Sequence, residues 1–322
     1  MEHTILGAGP VGLSAMAALL RRDERVRIVS RTRPADLPQG VVHHAIDARD
    51  ISALGRACAG SQVVYQCLGA RYDRWATDLP PLQHAAVVAT KLVGARLVSF
   101  ENVYMYGMPG REPFAEDHAS QPCSEKGRVR AAMATELRDL HTRGELAVAQ
   151  VRASDLFGPH MRDSALGAQL IGRAVAGKSP RGLGDLSTPH TWAYTVDAGE
   201  TLARVGISSD ASGRVWHVPS DRPRSQLEVA ASLSTLLRRP LKLGATPAWL
   251  LRMIGVFDPV IGAMVEMGYE FDRPFVLADS AARRELGQTH TPFVDALAAT
   301  VQWFVAPRTA SAPLPSPNPV VP

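Results

Sequence analysis

The sequence predicts an α/β fold, a doubly wound parallel sheet with a smaller, mostly helical C-terminal lobe. Three observations carry it. Short apolar runs alternate with helix-period segments through the first 158 residues, the signature of parallel strands joined by crossover helices. A glycine-rich turn joins the first such run to the first helix. Beyond Gly158 the alternation loosens into helical segments with little strand between them.

Taken in order, residues 3–6 read as a strand, 11–22 as a helix and 26–30 as a second strand. Residues 41–46 are a third strand, 51–59 a helix and 63–68 a fourth strand. A helix over 82–94 leads to a strand over 96–100, and a helix over 126–143 to a strand over 147–152. The crossovers should be right-handed. Further on, 215–218 is one more strand and 226–237 an amphipathic helix. Residues 248–266 are helical with a break at Asp258-Pro259, and helices over 279–286 and 293–304 complete the set. The expected division is 1–158 for the sheet domain, with 187–218 contributing to it, and 159–305 for the second lobe. Residues 306–322 hold six prolines and no apolar periodicity, which predicts a disordered tail.

Composition narrows the function classes. The 322 residues suit one two-lobed protein or two small domains, and 46% apolar against 20% charged residues excludes wholesale disorder. Lys plus Arg number 35 against 31 Asp plus Glu, a net charge of +4 spread without any run of five cations. That excludes a nucleic-acid platform and leaves anionic small ligands compatible. Cys58, Cys67 and Cys123 form no CxxC pair and no even set. They point to a reducing, cytoplasmic setting and away from a disulfide framework or zinc ribbon.

No metal site is expected, because the adjacent His43 and His44 of a strand face opposite ways. Residues 5–20 are apolar, but Glu2 precedes them and the arginines follow, the wrong layout for an export signal. No uninterrupted stretch of ~18 apolar residues is present. The best candidate, 247–269, contains Arg252, Asp258 and Glu266. The expected partner is a small-molecule substrate, without nucleic acid or membrane, and a homodimer is compatible with the sequence.

Gly7-Ala8-Gly9-Pro10-Val11-Gly12 follows the first strand and opens the first helix. Gly7 permits the tight turn, Gly9 lets a pyrophosphate approach the backbone, and Gly12 lets helix and strand pack closely. The helix N-terminus adds a favourable field for an anion. The predicted ligand is a dinucleotide. At the end of the second strand, where a carboxylate would hold the ribose 2′-hydroxyl of NAD, the chain has Ser30-Arg31-Thr32-Arg33. Two guanidiniums and two hydroxyls suit a 2′-phosphate, so NADP(H) is the expected cofactor. Asp47, ending the third strand, is either an acceptor for the adenine amino group or an exposed loop carboxylate.

These segments resemble the extended short-chain dehydrogenase/reductase superfamily, which contains nucleotide-sugar epimerases and dehydratases. The resemblance spans residues 3–304. Besides the glycine loop it rests on 63–69, on 98–107 ending Met105-Tyr106-Gly107, and on 151–159, which ends Phe157-Gly158-Pro159. Thr191 to Asp197 and the segment from Thr291-Pro292 to Trp303 complete it. It implies a Rossmann domain with Leu68 and Gly69 against the cofactor, and a C-terminal lobe that binds substrate.

It also implies a catalytic Tyr, a Lys four residues later and a nearby Ser or Thr. Those positions hold Lys126, Arg130 and Asn102 here, so the chain is an atypical member. Lys and Tyr have similar reference pKa values near ~10, so Lys126 is a candidate proton donor with Arg130 one turn away to lower its pKa. The alternative is that both residues merely hold ribose and phosphate.

Tyr104 and Tyr106, at the carboxyl end of the fifth strand, are further candidate acids, one of them expected to be a core aromatic. Tyr72, Arg74 and Trp75 are expected to line the substrate pocket, with Arg74 on an anionic group. His160 and His190 lack an evident carboxylate partner in sequence. The leading expectation is an NADPH-dependent oxidoreductase acting on a carbonyl or related polar double bond. The alternatives are a redox-neutral epimerase or dehydratase, and a catalytically silent NADP-sensing regulator.

Overall fold

The computed structural model describes residues 1–306; the proline-rich tail lies, from residue 307 on, outside the described residues. Strands β1 (Glu2–Leu6), β2 (Arg25–Ser30), β3 (Val42–Ala45), β4 (Val63–Gln66), β5 (Arg96–Glu101), β6 (Val148–Arg152) and β7 (Val215–His217) form one sheet. Their spatial order is β7-β6-β5-β4-β1-β2-β3, and every pairing is parallel. This is the doubly wound architecture the alternation predicts. The strand order reverses between β1 and β4, and open sheets of this kind bind ligands in the crevice beyond the carboxyl ends at that point. All four residues of β4 are buried, which is why it reads as an apolar run up to the buried Gln66.

Helix α1 (Pro10–Leu20) packs on one face with α5 (Thr195–Ile207), over a core that includes Ile5, Ala15, Leu202 and Trp216. The two helices touch closely: a Cβ on Gly199 would stand 2.3 Å from the backbone carbon of Ser14. Sequence reading gave no helix here. Eleven of the thirteen α5 residues are buried, Asp197, Glu200 and Thr201 among them, so polarity and exposure do not coincide along it.

On the opposite face α2 (Ile51–Cys58), α3 (Trp75–Leu92) and α4 (Glu125–Thr142) cover Leu54, Ala85, Leu97 and Leu137. Asp50 caps α2 by accepting from the Ala53 N–H at 2.9 Å, and Ser124 caps α4 by accepting from the Gly127 N–H at 3.0 Å. Helix α3 starts seven residues before the expected position and runs through Pro80 and Pro81. A 3₁₀ turn, Tyr72–Arg74, feeds into it, and the Trp75 indole N–H donates to the Ala70 carbonyl at 3.2 Å.

Helices α6 (Gln226–Leu236), α7 (Ala248–Gly255), α8 (Pro259–Val265) and α10 (Phe293–Val305) follow α5, while α9 (Ser280–Glu285) returns to the sheet. A second core gathers Phe157, Leu170, Trp192, Leu233, Phe271 and Leu297. The break at Asp258-Pro259 is an N-cap, with the Asp258 carboxylate accepting from the Val260 N–H at 2.9 Å. Among the described residues no helix is long and apolar enough to cross a membrane.

Candidate active site

A cleft of about 970 Å³ crosses the β1/β4 switch point, from the ends of β2 and β3 to the loops beyond β5 and β6. Its middle is the glycine loop. Gly7 adopts φ +104°, and a Cβ there would lie 2.5 Å from the Cys67 carbonyl oxygen, so only glycine fits. A Cβ on Gly9 would meet nothing within 4 Å, which leaves that backbone open to the cleft. Pro10 sits in the first turn of α1, and no side chain caps the helix. The N–H groups of Val11 and Gly12 at the start of α1 therefore have no side-chain acceptor and suit an anion. Gly7, Gly9, Pro10 and Val11 line the cleft, with Leu68 and Gly69 beyond the end of β4. Gly12 lies outside the lining: a Cβ there would come 2.0 Å from the Gly7 carbonyl oxygen, so its work is to let helix and loop pack.

At the β2–β3 end stand Ser30, Arg31, Thr32, Asp47 and Arg49. Ser30 Oγ donates to the Thr32 carbonyl at 2.8 Å and contacts His43 Nε2 at 2.9 Å. Arg33 does not join them; it is exposed and outside the lining. Asp47 is gripped by Arg49, with Nε at 3.1 Å and Nη2 at 2.7 Å. That guanidinium holds the carboxyl down at about 2. Arg74, expected at the substrate, pairs with Asp78 at 3.1 Å, and the Asp78 charge reaches Arg49. Arg74 lines the cleft along with Tyr72 and Trp75.

The β5–β6 end is built from aromatic rings. The Tyr72 hydroxyl donates to the Tyr104 hydroxyl at 3.2 Å. Trp75 stacks on Tyr104 with centroids 5.6 Å apart and meets Tyr72 edge-on at 5.0 Å. Arg130 Nε donates to Asn102 Oδ1 at 3.0 Å, and its guanidinium lies 5.4 Å from the Trp75 centroid. Burial pushes both phenols well above the ordinary tyrosine range, so each stays protonated and serves as a donor.

Two sequence candidates lie elsewhere. Lys126 is outside the lining; its Nζ pairs with Glu266 Oε1 at 2.8 Å and lies 4.7 Å from the Tyr72 ring centroid. Its charged partner is thus a carboxylate contributed by the segment after α8, where sequence reading expected the neighbouring Arg130. Tyr106 is buried in the core below, its hydroxyl 2.7 Å from His217 Nε2 and accepting from Arg152 Nη1 at 3.1 Å. The 3₁₀ turn Tyr104–Tyr106 separates the two side chains, one facing the cleft and one the core. His160 packs against Trp303 at 5.0 Å, away from the lining.

Sequence reasoning missed Arg49, Ser154, Asp155 and Glu270, all of which line the cleft. Asp155 stands just past the carboxyl end of β6, where position alone marks a ligand-edge residue. Its Oδ2 lies 2.8 Å from Nε2 of His190, the carboxylate partner that sequence did not reveal. Glu270 is 1% exposed, and burial together with the Asp155 charge pushes its carboxyl well above the usual range. No spacing in the chain signals it.

The sequence profile of the NAD dependent epimerase/dehydratase family matches residues 4–218. Among solved structures, the chain is similar to UDP-glucose 4-epimerase of Thermotoga maritima with UDP-glucose, at TM-score 0.78 and 14% identity over 94% of this chain and 98% of that one. It is also similar to dTDP-glucose 4,6-dehydratase of Streptomyces venezuelae with NAD bound, at TM-score 0.76 and 18% identity over 94% and 97%. UDP-glucuronic acid 4-epimerase of Bacillus cereus, in complex with UDP-glucuronic acid and NAD, gives TM-score 0.77 and 16% identity over 94% and 99%. A search of the curated proteins finds no match. With a family match over two-thirds of its length and a parallel sheet in the order described, the chain belongs to the NAD dependent epimerase/dehydratase family.

Proposed function

We propose that the protein binds a nicotinamide dinucleotide in this cleft and catalyses a redox-neutral, epimerase- or dehydratase-type conversion of a small polyhydroxylated molecule. One observation carries the reading: the open glycine loop, the half-buried Tyr72 and Tyr104 and the buried Glu270 line the same cleft. When bound, the dinucleotide supplies reversible hydride acceptance. The chain supplies the rest.

The loop N–H groups and the α1 field hold the pyrophosphate. Asn102 and Arg130 hold the ribose end, and the Tyr104 phenol donates to the reacting oxygen. The second lobe, through Met161, Ser164 and Glu270, closes the site against water. Lys126 is a positioning residue that ties the start of α4 to Glu266 and lies over Tyr72. Ser30, Arg31 and Thr32, with no carboxylate among them, support NADP(H) as the dinucleotide. A cytoplasmic setting fits the unpaired Cys58, Cys67 and Cys123.

A second reading, net NADPH-dependent carbonyl reduction, is favoured by that same Arg31 window, since a 2′-phosphate site suits the reductant used in net reductions. The experiment incubates the dinucleotide-loaded protein with a panel of sugars and carbonyl compounds. Near-ultraviolet absorbance and mass spectrometry are followed together. Product without net absorbance change supports the proposal. Net loss of absorbance supports the reductase, and binding without turnover supports an NADP-sensing regulator.

A further inference from the structure

Residues 247–269, the best spanning candidate in the sequence, fold largely as the hairpin of α7 and α8. The two helices meet closely, and a Cβ on Gly255 would lie 2.8 Å from the Gly262 Cα. The outward side is apolar. Trp249 is 62% exposed, Met253 follows one turn later, and Phe257, in the turn into α8, is 88% exposed. With Ile254, Val256 and Met264 they make up six of the thirteen large apolar side chains exposed among the described residues. Single exposed apolar residues are ordinary, whereas a cluster marks a contact surface.

Next to this stripe the fold joins two stretches that contain no acid. Residues 164–184 hold Arg173, Lys178 and Arg181 without an Asp or Glu. Residues 229–257 hold Arg238, Arg239, Lys242 and Arg252, again without one. The short strands Arg181–Gly182 and Gly244–Ala245 pair in parallel, with Arg181 opposite Gly244. Arg239 Nη1 reaches to 3.4 Å from where a Cβ of Gly177 would stand. The second strand leads through Thr246 and Pro247 into α7, so the cations border the apolar stripe, and Arg252 lies on α7 itself. None of the seven forms an ion pair with a described residue.

Charge decides what covers the stripe. A second copy seated two-fold on the same face must be self-complementary, and here cations would meet cations. The chain from residue 307 on adds Arg308 and no acid. Nucleic acid would satisfy the cations but leave Met253, Val256 and Phe257 in water. An anionic bilayer satisfies both: the headgroups take the guanidinium and ammonium groups, and the acyl boundary takes the apolar side chains. The stems of the lysines and arginines bridge the two levels.

We infer that the protein docks on an anionic membrane surface through α7, the turn into α8 and the cations beside them. Sequence reading expected no membrane because no stretch spans one, and a surface contact needs no span. The α8 helix packs on the 3₁₀ turn Tyr72–Arg74, whose Tyr72 and Arg74 line the cleft. Docking therefore sets the bilayer beside a helix that borders the cleft. The inference does not depend on the chemistry proposed above.

The test is flotation of the full chain with vesicles of phosphatidylcholine, alone and with about one-third phosphatidylserine. Binding to the anionic vesicles should be at least about tenfold tighter than to the neutral ones, and most of it should disappear in ~0.5 M salt. Trp249→Ser with Phe257→Ser should weaken it at least about tenfold, by removing two buried aromatic rings. Lys178→Glu with Lys242→Glu should weaken it by a similar factor, since each cation near such a surface is worth about fivefold. All four side chains are exposed, so both variants should melt with the wild type and bind dinucleotide as it does. The charge variant serves if the apolar one fails to fold.

No binding to either vesicle overturns the inference, as does equal binding to both. A folded variant of either kind that floats like the wild type overturns it too. So does a dimer in sedimentation that Trp249→Ser with Phe257→Ser dissociates, because the stripe would then be covered by a second copy.

Discussion

Two carboxyl groups in one cleft are held in opposite states. At the β2–β3 end Asp47 lies against Arg49 and is kept ionised down to about 2. At the β5–β6 end Glu270 faces burial and the like charge of Asp155, and it keeps its proton far above the usual range. The first end is basic, open and built from neighbours in sequence. The second holds Arg130, Asp155 and Glu270 together and draws on segments spread from Tyr72 to Glu270. The difference teaches that a single cleft can keep two carboxyl groups in opposite protonation states, one through a neighbouring guanidinium and the other through burial and a like charge.

The sharpest way to break the cleft lies between the two ends, at the packing glycine of the loop. Gly12→Ala would drive a Cβ to 2.0 Å from the Gly7 carbonyl oxygen, and backbone cannot yield as a flexible side chain can. Thermal or urea unfolding should show a loss of about 3 kcal/mol, at the upper end of overpacking penalties. Dinucleotide binding should vanish with the loop geometry. A variant that melts with the wild type and still binds would show that the loop tolerates an outward shift.

Next in size is the exchange of charge at Arg31. Arg31→Asp replaces a phosphate partner with a like charge, so NADPH should lose at least about tenfold, or ~1.4 kcal/mol, relative to NADH. Fluorescence titration of both cofactors reads it directly. Equal wild-type affinities for the two would remove the 2′-phosphate from the β2–β3 end.

The sequence showed these two ends unequally. The glycine loop was legible because its logic is local: strand, turn and helix follow one another, and each glycine answers to a backbone approach within that unit. The Ser30-Arg31-Thr32-Arg33 window is equally local, but only its first three residues line the cleft. The β5–β6 end was half legible. Asn102, Tyr104, Tyr72, Trp75 and Arg130 were found by position, and all line the cleft.

What sequence could not give was pairing across the fold. Lys126 was matched to a catalytic position, but its partner Glu266 comes from 140 residues further on. Tyr106 looked equivalent to Tyr104 until the 3₁₀ turn sent it to His217 and Arg152. Glu270 sits in a short turn, Gly268–Glu270, with no periodicity to mark it.

Proton occupancy gives the third comparison. A carboxyl that titrates higher in the folded chain than in the unfolded one holds its proton longer when folded. Its contribution to stability is complete below the unfolded value of about 4.3 and is lost as pH rises through the folded value. Glu270→Gln should therefore melt close to the wild type near pH 5 and gain about 1 kcal/mol or more by pH 8, one titration unit being worth ~1.4 kcal/mol. Asp47→Asn is the counterpart. Its carboxyl is ionised in both states throughout that range, so the difference from wild type should not change with pH. A flat difference for Glu270→Gln as well would mean that Glu270 is already ionised near pH 5.

The smallest effect is expected at Lys126, and it is the one that separates position from chemistry. The Lys126 and Glu266 side chains are 9% and 27% exposed, unlike Glu101 and Arg152, which pair in the core at 4% and 5%. Lys126→Met keeps the aliphatic stem against the Tyr72 ring and removes the ammonium. Glu266 then retains the Glu125 N–H at 2.9 Å and gains water, so the unfolding free energy should fall by about 1 kcal/mol or less, the range of partly exposed pairs.

Dinucleotide affinity should change less than about twofold, because Lys126 does not line the cleft and even a full tenfold would need ~1.4 kcal/mol. A general acid removed outright would lower turnover by about 10²–10⁴; a positioning residue should lower it by less than about tenfold. A fall of the larger size with stability unchanged would put the ammonium into the chemistry. The Glu266 pair would then have to open in every catalytic cycle, carrying Lys126 past Tyr72 into the cleft.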